Sequence, residues 1–424
     1  MEKRDDKYII ESISSRDKMI RYLDGYSAER KEELDERKSK KPLVKSYLIE
    51  LMGNSVIDIS EIMSRNGITL KQIDEDLYSI YASMYNQNKS EHIGFIEILT
   101  NRYFVIYTLL ESKVCDPWVK ALILGSSEFD HVWLSGLTFN VLWNKIVQLN
   151  HPNRYAKIVF MHDSVYQVDG ESLELEEDEE EAADKYFDEA DNLDIVERRA
   201  SKFSLIDRIS VVEEKLNELQ RIYTPLYAIS QLRFPSPVGS GGHDFYDFGK
   251  VTNRSGNFRD HRAHILYVQR VYDKLIKLTE AKTWYSIQKS EVSIPGIFQK
   301  LIGAPLSIKF SEPLSNETFN YWIKSTFCRL RNKFRLWGNP IRLGPQKVHV
   351  YGVDKHLWQP IFMEITSKHL IAIIPKGTCG NTVHRLVTNI QRYIDPAAGV
   401  FIGDISYQDM VKESTVGVEY ERKH

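Results

Sequence analysis

A buried strand, a glycine-containing loop and a helix follow one another in residues 371–385, and their residue types suit phosphate chemistry. The sequence reads IAIIPKGTCGNTVHR, with Asn381 as the predicted N-cap of the helix. Such a helix start points backbone N–H groups and a partial positive charge toward the end of the strand, so we expect an anion to bind there. The expected phosphate ligands are Lys376, Gly377, Thr378, Gly380, Asn381, Thr382 and Arg385.

This loop departs from the established phosphate-binding patterns. A P-loop has Gly-Lys-Ser/Thr entering the helix, whereas here Lys376 precedes both glycines. The leading Gly-x-Gly of a dinucleotide fingerprint is also missing. An ordinary tight turn between a strand and a helix is therefore the open alternative.

A second group of residues is typical of nucleic-acid binding. Residues 321–347 contain seven lysines and arginines and five aromatic residues, and no acid interrupts them. Basic side chains contact phosphates and aromatic rings stack on unpaired bases, so this composition favours single strands. The predicted contacts are Lys324, Arg329, Arg331, Lys333, Arg335 and Trp337. The open alternative is that Trp322, Phe327 and Phe334 are core residues and the bases are simply solvated.

Histidines and acids form two further candidate sites. The first contains His243 in a glycine-rich loop and Asp260, His261 and His264 at a helix start, which are ligand types that bind metals. Polar loop residues and helix caps are the alternative for this set.

The second candidate site contains the catalytic carboxylates Asp354, Glu364 and Asp404, which could hold Mg²⁺ as restriction-type nucleases do. Thr366 stands where such nucleases place a lysine two residues after the second acid. That departure removes the group that orients water, which weakens the prediction.

The elements that must position these residues indicate an α+β or mixed α/β fold. We expect a helical N-terminal layer, two strand-helix-strand units and a long central helix over residues 195–222. The expected regions are a helical part at 1–128, a strand-helix-strand unit at 129–168, an acidic linker at 169–194, a helical part at 195–300 with a glycine-rich loop at 234–259, and a C-terminal α/β domain at 301–424.

Charge is distributed unevenly along the chain. The formal net charge of the 424 residues is −3, but the acidic linker holds fourteen acids and one lysine. The remaining residues therefore carry a net charge of +10, which favours an anionic partner.

Composition narrows the class of protein. The 42% hydrophobic and 27% charged residues are typical of a globular protein, and the three scattered cysteines exclude a disulfide framework. No run approaches 18 apolar residues, so we expect a cytoplasmic protein without membrane contact.

These patterns predict a protein that recognises nucleic acid or another phosphate-rich ligand, of the kind found among sensors and regulators in bacterial antiviral defence. One alternative is a metal-dependent nuclease or phosphohydrolase with Mg²⁺ as its cofactor. Another is a subunit that docks a protein partner or a second copy of itself. Whether the protein is an enzyme stays open, because no established catalytic motif is present.

Overall fold

Helices and strands both build the protein, which confirms the mixed α+β class. The computed structural model describes residues 12–35, 41–52, 58–83, 90–163, 201–289, 299–327 and 332–420. The helices are α1 (Arg16–Asp35), α2 (Ile59–Arg65), α3 (Ser112–Gly125), α4 (Gly136–Leu149), α5 (Ile209–Ile222), α6 (Phe258–Thr283), α7 (Asn316–Phe327), α8 (Asn381–Tyr393) and α9 (Tyr407–Thr415). The strands are β1 (Lys45–Leu51), β2 (Ile68–Asp74), β3 (Leu77–Ala82), β4 (Glu91–Ile98), β5 (Tyr103–Thr108), β6 (Phe129–His131), β7 (Tyr155–His162), β8 (Ser201–Arg208), β9 (Ile229–Pro235), β10 (Gly242–Tyr246), β11 (Lys250–Asn253), β12 (Trp284–Lys289), β13 (Gln299–Ile302), β14 (Leu306–Lys309), β15 (Leu336–Gly344), β16 (Lys347–Asp354), β17 (Gln359–Thr366), β18 (His369–Pro375), β19 (Gly399–Ile402) and β20 (Ile405–Ser406).

The chain forms two compact units. Unit 1 contains the residues up to Val132, then Arg233–Gln269 and the residues from Glu419 onward. Unit 2 contains Trp133–Leu232 and Arg270–Val418. No helix in the described ranges is both long and apolar enough to cross a membrane. The acidic linker at 169–194 lies outside the described residues.

Unit 1 is built on an antiparallel sheet. Its strand order is β2-β3-β4-β5-β1-β11-β10, and β6 also pairs with β1. Helices α2 and α3 contribute Ile62, Met63, Val119 and Leu122 to the core formed with the sheet. These side chains are almost fully buried, and removing apolar surface from water stabilises the unit.

The predicted helical N-terminal layer is wrong, because residues 45–108 contain strands β1 to β5. Apolar residues around Tyr103 and Ile106 suggest a helical period, but all six residues of β5 are buried. A strand that is covered on both faces loses the alternation that would reveal it. β-branched and aromatic side chains also favour a strand here over a helix.

Two further predicted elements are wrong. In the long helix expected at 195–222, the described residues, from Ser201 on, form the strand β8 followed by α5, because Ser201 to Arg208 pair with β7 along its full length. The glycine-rich loop at 234–259 contains the hairpin of β10 and β11. Gly249 closes the turn of this hairpin at φ 77°, a conformation that glycine adopts without strain.

Unit 2 contains the sheet that positions most candidate residues. Its strand order is β15-β16-β17-β18-β14-β19-β20. One face of this sheet, here called the inner face, packs on α7, α8 and α9 through residues such as Val350, Met363, Trp322 and Leu386. The opposite face is called the outer face.

Both predicted strand-helix-strand orders are confirmed. Strand β6, helix α4 and strand β7 follow one another in the first, and β18, α8 and β19 in the second. Strand β14 lies between β18 and β19 and pairs antiparallel with each of them.

Candidate functional site

The outer face of the unit 2 sheet is defined by strand alternation. In β16, Val348 and Val350 are buried on the inner face, so the odd-numbered residues point outward. The pairing register then places one outer row across four strands. This row consists of Asn339, Tyr351, Phe362 and Ile373.

Aromatic rings are the main feature of this face. Trp337 is 51% exposed, Tyr351 57% and Phe362 39%. The rings of Tyr351 and Phe362 contact each other edge to face, with centroids 5.8 Å apart. Single exposed apolar residues are ordinary, but three exposed rings on adjacent strands form a contiguous apolar patch, which is uncommon on a folded protein.

Charged groups lie among these rings. Glu364 accepts hydrogen bonds from Lys347 Nζ at 2.7 Å and His349 Nε2 at 2.8 Å. These bonds, first that of Lys347, lower the pKa of Glu364 to about 2, so the carboxylate is ionised at neutral pH. Further along the face, the Lys309 ammonium lies over the Phe401 ring at 5.1 Å.

The structure divides the basic and aromatic stretch at 321–347. Trp322, Phe327 and Phe334 belong to the core, as the alternative interpretation expects. Lys324 is exposed on α7, which packs on the inner face, so it does not join Trp337 on the outer face.

The remaining predicted contacts of that stretch have different surroundings. Lys333 is half-buried, and Arg335 is buried with φ 53°, a left-handed conformation at the start of β15. Arg329 and Arg331 lie outside the described residues. Among the described residues of the predicted nucleic-acid set, Trp337 is therefore the one on the aromatic face.

The loop predicted to bind phosphate has internal partners for most of its polar groups. Arg385 is fully buried, donates to Phe334 O from Nε at 2.9 Å, and pairs with Asp354 through Nη2. Thr382 donates to the same carboxylate. Thr378 donates from Oγ1 to Pro375 O at 2.7 Å.

A carboxylate from within unit 2 lies at the start of α8. Gly380 N donates to Glu280 Oε1 at 3.0 Å, and the Tyr272 hydroxyl donates to Asn381 Oδ1. A negative charge at a helix N-terminus interacts favourably with the helix dipole and stabilises the helix. The Glu280 carboxylate thus supplies the negative charge that a bound anion is expected to supply. Lys376 and Gly377 are the exposed members of the predicted phosphate set.

The three predicted catalytic carboxylates do not come together. Asp354 points to the inner face and is 2% exposed, whereas Glu364 points to the outer face. Asp404 lies in the exposed turn between β19 and β20. A single Mg²⁺ cannot contact carboxylates on opposite faces of a sheet, so this arrangement gives no support to the nuclease alternative.

The predicted histidine set is a buried cluster in unit 1. His243 Nδ1 lies 2.6 Å from His264 Nδ1, and His243 Nε2 lies 2.9 Å from Ser255 Oγ. His261 Nε2 lies 2.7 Å from Ser46 Oγ, and Asp260 accepts from Ser236 at 2.8 Å.

Burial governs the protonation of His243 and His261. It lowers the pKa of His261 to about 3 and that of His243 well below the usual range. Taken within either unit, the described His, Cys, Asp and Glu side chains include no three whose ligand atoms lie within 4.8 Å of one another. The metal assignment of the cluster stays a prediction.

Sequence reasoning missed Tyr351 and Phe362, although a signal for them exists. Residues 347–351 and 360–366 alternate between buried positions and half-buried or exposed ones, and the latter include these two aromatic residues. An aromatic residue on the polar side of an alternating strand is the pattern that would have identified them.

The fold and this face define an α+β protein whose second unit carries an open aromatic sheet surface. The chain belongs to the MJECL33-like protein family, whose model matches residues 8–408. A relative in Methanocaldococcus jannaschii, "Uncharacterized protein MJECL33", is 22% identical over 405 residues, covering 91% of this chain and 93% of the relative. No solved structure matches the chain.

Proposed function

We propose that the protein binds single-stranded nucleic acid on the outer face of the unit 2 sheet. The observation that carries the proposal is the set of exposed rings of Trp337, Tyr351 and Phe362 on three adjacent strands. Unpaired bases stack on such rings, and each base contributes roughly 1–3 kcal/mol by alanine substitution. Rings on neighbouring strands of one sheet would receive successive bases.

Cationic groups support the choice of a nucleic acid as the ligand. Lys309 and Lys347 lie on the outer face, and Lys368 is exposed in the turn between β17 and β18. Ammonium groups next to stacked bases can contact the phosphates that join them. The net charge of +10 outside the acidic linker acts in the same direction.

Docking of a protein is the second candidate function for this face. Ile341, Leu343 and Ile373 are exposed beside the rings, and exposed apolar patches also mark protein interfaces. We favour nucleic acid because three aromatic rings and two lysines share the face. A cytoplasmic location is part of the proposal, supported by Cys115 and Cys379, which are buried thiols.

Fluorescence anisotropy with labelled single- and double-stranded DNA and RNA at two salt concentrations tests the proposal. Single strands should bind more tightly, and higher salt should weaken the binding. Trp337→Ala, Tyr351→Ala and Phe362→Ala should each weaken binding roughly 5- to 100-fold.

Tyr155→Ala is the matched control, because Tyr155 is an exposed aromatic residue on β7, outside this sheet. The affinity of Tyr155→Ala for the single-stranded probes should equal that of the wild type. Equal affinities in all four variants would contradict the proposal. Absence of binding to every probe, together with salt-resistant self-association, would favour the docking of a second copy.

A further inference from the structure

Glu364 is the carboxylate that the outer face presents beside the aromatic rings. In the described strands β14 to β19, alternation places no other acid on that face. Glu364 follows Phe362 by two residues on the same strand, so the two side chains are neighbours about 7 Å apart along the strand. The register sets Glu364 opposite His349 on one side and Ile371 on the other.

The two oxygens of this carboxylate have different surroundings. Oε2 receives both hydrogen bonds, from Lys347 and His349. Oε1 lies 3.6 Å from His369 Nε2, which is longer than a hydrogen bond. The side chain is 30% exposed. Oε1 is thus oriented by the bonds to its partner oxygen and keeps capacity to accept from a ligand.

An ionised carboxylate discriminates among the bases because it only accepts hydrogen bonds. Guanine presents two adjacent donors, N1–H and the N2 amino group, on its Watson–Crick edge. Adenine and cytosine present one amino group beside an acceptor nitrogen, and thymine or uracil presents one N–H between two carbonyl oxygens. The acceptor atoms of these bases repel the carboxylate oxygens. Both guanine donors, in contrast, can donate hydrogen bonds to the carboxylate.

Lys347 can make room for the second donor. Its side chain is 44% exposed and ends a flexible four-carbon stem. When a nucleic acid binds, the Lys347 ammonium can turn from Glu364 Oε2 to a phosphate. This movement leaves a lone pair on Oε2 beside the available Oε1.

We infer that Glu364 selects guanine in a single strand whose bases stack on Phe362 and Tyr351. This inference rests on the proposed function, since it needs a nucleic acid on the outer face. It adds the identity of the base that the face prefers.

The test is an anisotropy titration with thymine oligonucleotides that carry one central guanine, adenine or inosine. Guanine should bind roughly tenfold more tightly than inosine, which lacks the N2 amino group. Glu364→Gln should reduce that preference to less than about twofold, because an amide places a donor where an acceptor is needed. The affinity of this variant for the all-thymine probe should increase, because a negative charge beside the phosphates is lost.

Glu413→Gln is the matched control, since Glu413 is an exposed acid on α9. It should keep the full guanine preference. The inosine probe tests the inference on the wild-type protein, so the result does not depend on the folding of a variant.

The outcomes separate this inference from the function on which it rests. Binding of all oligonucleotides with equal affinity would overturn the guanine inference and leave the proposed function in place. A guanine preference that persists in Glu364→Gln would overturn the role of Glu364. Absence of binding to every oligonucleotide would overturn both.

Discussion

Asp354 is a buried charged residue whose carboxylate has partners inside unit 2. Its carboxylate accepts from the buried Arg385 guanidinium and from the Thr382 hydroxyl. Each partner is a residue that the sequence predicts to bind phosphate. The three groups instead link strand β16 to helix α8 inside unit 2.

We predict that Asp354→Ala destabilises unit 2 by about 3–5 kcal/mol, because it leaves the Arg385 charge buried without its partner. Urea unfolding followed by circular dichroism measures the change. Asp409→Asn is the control, since Asp409 pairs with Lys412 on the surface of α9 and should change stability by less than about 1 kcal/mol. A loss below about 1 kcal/mol in Asp354→Ala would show that the pair is not structural.

At the scale of the element, the hairpin β10–β11 and the start of α6 hold the buried histidines of unit 1. Their low pKa values arise from burial, so the folded protein keeps His243 and His261 neutral at pH values where the unfolded chain protonates them. The unfolded state therefore gains protons first as the pH falls. Stability decreases from about pH 6.5 downward, and for His261 the decrease continues toward pH 3.

We predict that His261→Gln makes the stability of unit 1 less dependent on pH. One titrating group contributes up to about 1.4 kcal/mol per pH unit between its two pKa values, so the slope between pH 6 and 4 should fall by up to this amount. Hydrogen exchange in β10, β11 and α6, followed as a function of pH, measures the slope. The exposed His151 lies in unit 2, and His151→Gln is the control for the loss of a histidine outside unit 1. Identical slopes in wild type and His261→Gln would contradict the prediction.

Some elements of unit 2 follow from the sequence and others do not, for identifiable reasons. Strands β16 to β19 and helix α8 are predicted because their apolar residues alternate or recur at the correct period. Strand β15 is missed, because Gly338 and Pro340 interrupt its alternation. Proline is tolerated there since β15 lies at the edge of the sheet.

For the molecule as a whole, the residues of the candidate site are what the sequence does not predict, because they come together only through the pairing of strands. The sequence groups Trp337 with Lys324 because they are close in the chain, but the sheet places them on opposite sides. It gives no reason to group Trp337 with Phe362, which a strand register brings to the same face. Residue types predict a nucleic-acid ligand, and only the fold defines the surface proposed to bind it.

Charge and family membership are also properties of the whole chain. The net charge of +10 outside residues 169–194 favours the approach of a polyanion, but it does not specify any particular contact. The family match over residues 8–408 includes both units. Binding tests of the outer face should therefore use the chain with both units present.

Photo-crosslinking of the 424-residue chain to a single-stranded oligonucleotide carrying 5-iodouridine tests binding on the outer face directly, when the crosslinked peptides are mapped by mass spectrometry. Binding on the outer face predicts crosslinks in strands β15, β16 and β17, at Trp337, Tyr351 and Phe362. Crosslinks confined to residues 376–385, or to peptides outside this sheet, would contradict it.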